Sequence, residues 1–80
     1  MKVTKKMIKF ARLNGVYDRL YGDVVESFIS EKYTNGQEKA IQRQSNTKPE
    51  EFEEYFAYCE QCKVRAREYL AYVEGTNDAI

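Results

Sequence analysis

The stretch Phe52–Val73, FEEYFAYCEQCKVRAREYLAYV, decides the fold. Within it Phe52, Tyr55, Cys59, Cys62, Ala66, Tyr69 and Val73 recur at alternating steps of three and four. That spacing lines one side of a helix with apolar groups and forms a heptad seam. Phe56 and Leu70 widen the seam on one flank, and the small Cys59, Cys62 and Ala66 in its middle let a partner helix approach closely. The helix is expected to run from Lys48 to about Glu74, about seven turns, with Gly75 as its stop. Upstream, Thr47-Lys48-Pro49-Glu50 predicts its start. Thr47 would accept from a first-turn amide, Glu50 would reach back, and Pro49 would give up a donor that has no partner there. Glu50, Glu51, Glu53 and Glu54 at the start, and Lys63, Arg65 and Arg67 further on, complement the helix dipole.

Moving outward, Tyr17, Leu20, Tyr21, Val24, Val25, Phe28 and Ile29 predict a second amphipathic helix over about Val16–Tyr33. Gly22 interrupts this pattern at a cost of about 1 kcal/mol relative to alanine. A break there, with Asp23 capping a shorter helix, is the alternative to one continuous helix with a weak point; the continuous helix is preferred. Thr34-Asn35-Gly36-Gln37 has capping-box spacing and predicts a short helix to about Gln44, anchored by Ala40 and Ile41. At the N-terminus, Thr4 is a good cap for a helix to Leu13, ended by Asn14-Gly15. Val3, Met7, Phe10 and Ala11 are read as its apolar side, and Lys2, Lys5, Lys6, Lys9 and Arg12 as a basic side. No segment alternates strictly between apolar and polar residues, so no strand is expected. The fold class is all-α: a small helical bundle on an antiparallel helix pair, with three main helices and one short one. Residues 1–80 form one domain with a frayed tail over 75–80.

The 80 residues include 13 basic and 13 acidic side chains, two cysteines, one proline, no histidine and no tryptophan. Absence of histidine removes Ser-His and Cys-His nucleophile pairs and imidazole metal ligands. The longest apolar runs, Tyr55–Cys59 and Tyr69–Val73, are far shorter than the roughly 20 residues that span a bilayer. The lysines among the first nine residues break up any signal-peptide core. Two cysteines in a neutral chain of this kind point to a reducing compartment, a bacterial cytoplasm.

Cys59-x-x-Cys62 lies mid-helix rather than at a helix N-terminus, so its thiolates gain no dipole stabilisation. Small core residues are the favoured reading, while a four-thiolate metal site shared across a dimer stays open. No metal, cofactor or catalytic residue is assigned: the glutamates fit dipole complementation, and Ser27, Ser30 and Ser45 have no base. Lys5, Lys6, Lys9 and Arg12 are candidate contacts for phosphates or for an acidic partner, including the Glu50–Glu54 cluster of a second copy. Overall neutrality argues against a dedicated nucleic-acid binder. Of seven tyrosines, Tyr55, Tyr58, Tyr69 and Tyr72 lie on the last helix at or beside the seam, where a half-apolar ring suits a protein interface and, as an equal alternative, a large aromatic adds buried area to a small core. The candidate partner or self-association surface is therefore Phe52, Tyr55, Phe56, Tyr58, Tyr69 and Tyr72.

Lys32–Gln44, KYTNGQEKAIQRQ, and Asn46–Lys63, NTKPEEFEEYFAYCEQCK, resemble small uncharacterised helical proteins encoded by phages and prophages of gut bacteria, often near tail-module genes. The likeness covers about two-fifths of the chain and is one of size, composition and texture. It implies a mobile-element origin and a noncatalytic role. The expected function is a protein-binding module, self-associated, in a virion or in tail assembly. Alternatives are a small inhibitor of host defence, acting on a nuclease or sequestering a nucleotide messenger through Lys5, Lys6, Lys9 and Arg12, and a weak nucleic-acid binder using the same helix.

Overall fold

A computed structural model describes residues 2–75. It contains four helices in the order α1 (Lys5–Leu13), α2 (Tyr17–Ile29), α3 (Asn35–Arg43) and α4 (Pro49–Gly75), and no strand among the described residues. The fold is all-helical. The tail over residues 76–80 lies outside the described residues; Gly75 belongs to the last turn of α4.

Local chemistry explains most boundaries. Thr4 Oγ1 accepts from the Met7 amide at 3.2 Å and caps α1. At the other end Gly15 takes a left-handed φ of +68°. That turn lets the Val16 amide reach the Ala11 carbonyl at 2.8 Å and the Gly15 amide reach Arg12 at 3.4 Å, the paired bonds of a Schellman stop. Helix α2 runs unbroken through Gly22. It ends four residues before the expected Tyr33. Bonds from Glu31 to Phe28 and from Lys32 to Ile29 tighten the chain, and Ser30 Oγ donates back to the Ser27 carbonyl at 2.7 Å. Tyr33 then turns inward, its ring edge-on to Tyr55 and Tyr58 at 5.2 and 5.6 Å between centroids. Both arms of the Thr34–Gln37 capping box form, at 3.1 and 2.8 Å.

Thr47 does not cap α4 as its Thr-x-x-Glu spacing predicts. Its hydroxyl donates to the Gln44 carbonyl at 3.1 Å, holding the loop instead. The reason lies in Pro49, whose ring disfavours helical backbone at the residue before it. Lys48 is thereby kept out of the helix, which opens one residue later than expected, at Pro49.

The core joins all four helices. Val3, Ile8, Ala11, Leu20, Val24, Val25, Ile29, Ile41, Tyr55, Cys62, Ala66 and Leu70 are its buried members. The seam of α4 is covered by the rest of the chain, chiefly by α2. Two details of the register differ from expectation. On α4, Leu70 is 0 % exposed while Tyr69 is only half-buried, the reverse of their expected ranks. A straight helix of 3.6 residues per turn drifts by about 20° per heptad, which carries the buried centre from Tyr69 toward Leu70 over two heptads. On α1 the inner face is Ile8 and Ala11, with Val3 ahead of the helix; Met7 and Phe10 are exposed. Val3 precedes the cap, where the chain is extended, so a helical count begun at Val3 lands on the wrong face.

Tyrosine hydroxyls tie the helices together where their rings cross. Tyr21 donates to the Lys63 carbonyl at 3.3 Å and Tyr58 to the Phe28 carbonyl at 3.2 Å. The Val3 amide donates to Tyr69 at 3.0 Å. No buried side-chain polar atom among the described residues is left unpaired, as a well-formed interior requires. The molecule is elongated, 53 × 23 × 15 Å with a radius of gyration of 15.3 Å. A compact chain of this length has a radius of about 11–12 Å. The rod shape leaves much of α1 and α4 facing water.

Candidate functional site

Closing the α4 seam displaces the apolar surface elsewhere. The Schellman turn folds α1 back beside the start of α2, but only Ile8 and Ala11 of α1 point into the core. Phe10, 65 % exposed, and Met7 line one side of the junction, and Val16 in the turn continues it. Together with Ala11 and Leu20 they form an open apolar groove of about 470 Å³, rimmed by Lys6, Arg19 and Asp23. A smaller depression, of about 380 Å³, lies across α1, between Ile8, Leu13 and Glu74 with Lys5, Lys9 and Arg12 around it. Leu13 there is 77 % exposed. A nine-residue helix with apolar residues on its outer side and no acidic residue is suited to docking.

The six aromatic residues expected at a partner surface divide into two groups. Tyr55 is buried, with its hydroxyl donating to Glu38 Oε1 at 2.6 Å. Burial first, and that hydrogen bond second, push its hydroxyl well above the usual tyrosine range. Phe52, Tyr58 and Tyr69 are half-buried against the same core. Tyr69 packs edge-on to Phe28 at 6.0 Å, and Lys32 lies 4.9 Å above the Tyr58 ring. Only Phe56, 53 % exposed, and Tyr72, 72 % exposed, present most of their rings to solvent.

The four basic candidates also separate. Arg12 makes a two-pronged bond to Glu74, at 2.7 and 2.9 Å, and its guanidinium sits 4.2 Å from the Tyr17 ring centre. The hydrogen bond to Glu74 holds the Arg12 pKa up and the Glu74 carboxyl below its ordinary value. A phosphate at Arg12 would therefore have to displace Glu74. Lys6 stands on the groove rim, and Lys5 and Lys9 border the depression across the helix.

Cys62 is 1 % exposed inside the core, and Cys59 is half-buried one turn away; both are free thiols. Burial pushes the Cys59 thiol up, which disfavours the thiolate needed for metal binding or redox attack. Among the described residues no three acidic or sulfur ligands converge on a metal-sized site, and no helix is long and apolar enough to cross a membrane.

The groove residues Met7, Phe10, Val16 and Arg19 are absent from the sequence-derived site. The signal was present in the exposed phase of α1, but it becomes visible only once Ile8 replaces Phe10 on the inner face. No known protein family, curated protein or solved structure matches the chain.

Proposed function

We propose that this chain is a noncatalytic protein-binding module, phage-encoded and self-associating, that serves as a virion or tail-assembly component. The observation that carries the binding role is the exposed apolar set on α1 and its turn, Met7, Phe10, Leu13 and Val16, beside a core that is already closed. Side chains of this kind gain most from burial against another protein surface. The rod shape supports an assembly part, because it holds binding surfaces apart along its length. The resemblance in Lys32–Lys63 supports the phage origin.

Within the proposed module α2 and α4 act as an antiparallel pair. Tyr21 meets Lys63 and lies near Arg67, Phe28 meets Tyr58 and Tyr69, and Tyr33 meets Tyr55 and Tyr58. The hydroxyl bonds carry this reading, from Tyr21 to Lys63 and from Tyr58 to Phe28, with Tyr33 beyond the end of α2 meeting Tyr55 and Tyr58; the Phe28–Tyr69 ring contact alone runs the other way. The pair gives α1 a firm base, so that its outer face is presented rather than folded away.

Sedimentation velocity across a concentration series tests self-association. The expected result is a sedimentation coefficient that climbs with concentration; a strict monomer at roughly millimolar protein, where even weak interfaces fill, contradicts it. Mass spectrometry of purified phage particles tests the setting, with peptides of this chain expected in the particle or in assembly intermediates.

A further inference from the structure

The charges of this neutral chain are sorted by position. Residues 2–12 carry Lys2, Lys5, Lys6, Lys9 and Arg12 with no acid, and residues 50–60 carry Glu50, Glu51, Glu53, Glu54 and Glu60 with no base. Each stretch also holds an exposed phenylalanine: Phe10 at the groove, and Phe56 on α4. Phe56 stacks on Phe52 at 6.3 Å between centroids, which steadies the ring while leaving its outer face open. Glu53 lies one turn before it and Glu60 one turn after, on the same side of the helix. The Glu60 contact to Lys63 is long, at 3.5 Å, and exposed.

We infer that the groove between α1 and α2 receives the Phe56 segment of a second copy, head to tail. Phe56 enters between Met7, Phe10 and Val16, and Glu53 and Glu60 face the basic rim at Lys6 and Arg19. A chain cannot fill its own groove this way. α1 docks on α4 near Glu74, about 27 Å along the helix from Phe56 at 1.5 Å per residue. The contact is therefore heterologous, with a different patch on each partner, and it propagates into a ring or an open array. Charge complementarity selects a second copy as occupant, since the rim is net positive, with Lys6 and Arg19 against the single Asp23, and the plug carries the two negative charges of Glu53 and Glu60. The groove is small, so association is reversible, and its electrostatic part weakens with salt.

This inference rests on the self-association proposed above and specifies its surfaces. The test uses the full chain and two single variants, Phe10→Ser, which disables the groove, and Phe56→Ser, which disables the plug. Both positions are exposed, so circular dichroism should show unchanged helicity. Sedimentation velocity should show wild type growing with concentration, each variant monomeric, and an equimolar mixture of the two forming a dimer and nothing larger. Each mixed pair has one intact groove and one intact plug. If wild type associates and either variant associates equally well, the docking is overturned while self-association stands. A mixture that stays monomeric overturns the head-to-tail geometry in the same way. A wild type that is monomeric throughout overturns both, as does one that remains monomeric yet floats with phosphatidylglycerol vesicles, which would assign the basic apolar face to a lipid surface. Should a serine variant fail to fold, charge reversal answers the same question: Lys6→Glu and Glu53→Lys each weaken association, and the double variant restores it. Failure of that restoration overturns the pairing.

Discussion

The inner stripe of α4 and the outer side of α1 meet the rest of the chain on different terms. Along the middle and C-terminal turns of α4, Cys62, Ala66 and Leu70 are sealed beneath α2 and the inner face of α1. The outer side of α1, by contrast, keeps Phe10 and Leu13 in water. Both regions are amphipathic helix, and both carry large apolar groups at helical spacing. What separates them is the number of partners: the inner stripe of α4 packs against three helices, whereas α1 is a short terminal helix that packs against two, α2 and α4, and leaves its outer side uncovered. A long apolar stripe therefore identifies the core of this protein, and the short basic helix identifies where it has surface left for another molecule.

The largest expected effect comes from exchanging the two environments in mutants. Leu70→Ala should lower unfolding free energy by about 2–5 kcal/mol, as for leucines in closed cores. Phe10→Ser should stay within about 0.5 kcal/mol, as for exposed sites. Urea denaturation of dilute monomer reads both; a Phe10 loss matching that of Leu70 would mean that the ring is buried and the contrast false.

Two glycines sharpen the comparison in opposite directions. Gly15→Ala strains a left-handed residue, with an expected loss of about 1 kcal/mol and a loosened α1. Gly22→Ala meets open space within a straight helix and should gain up to about 1 kcal/mol. Equal signs in thermal melts would contradict the two backbone assignments. Of the two threonines that look like caps, Thr34→Ala should cost about 1 kcal/mol, through its two-armed box. Thr47→Ala should leave the start of α4 intact, because its hydroxyl serves the preceding loop.

The smallest effect concerns pH. The Tyr55 hydroxyl has its folded pKa raised above the unfolded value near 10, by burial and then by Glu38. Its contribution is complete below about pH 10 and is lost as pH climbs beyond that. Melting temperature should fall more steeply above pH 10 in wild type than in Tyr55→Phe; parallel curves would remove Tyr55 from the alkaline response.

How far these features could be read from residues depends on whether a local rule governs each. Thr4, Thr34 and Gly15 act through neighbours three to five residues away, and their roles follow from spacing alone. Thr47 shows two rules in conflict, where a proline constraint on Lys48 outweighs a favourable cap spacing. The inner face of α1 could not be phased correctly from Val3, because that residue lies ahead of the extended cap Thr4 and its amide is held by Tyr69, 66 residues away in the chain. The exchange of Tyr69 for Leu70 arises from helix drift, which accumulates with length and is invisible in any single heptad. The aromatic residues were identifiable as important, but not as inward or outward, since that choice depends on which flank of α4 its neighbours occupy. The groove was hidden for the same reason: it exists only where two helices diverge.

Hydrogen exchange measured at low and high protein concentration is the most direct test that α1, rather than the α4 seam, meets other molecules. Amides of Lys5–Leu13 should exchange more slowly in the concentrated sample, while those around Cys62–Leu70 keep the same rates. Concentration-dependent protection confined to Cys62–Leu70, with α1 unchanged, would contradict it.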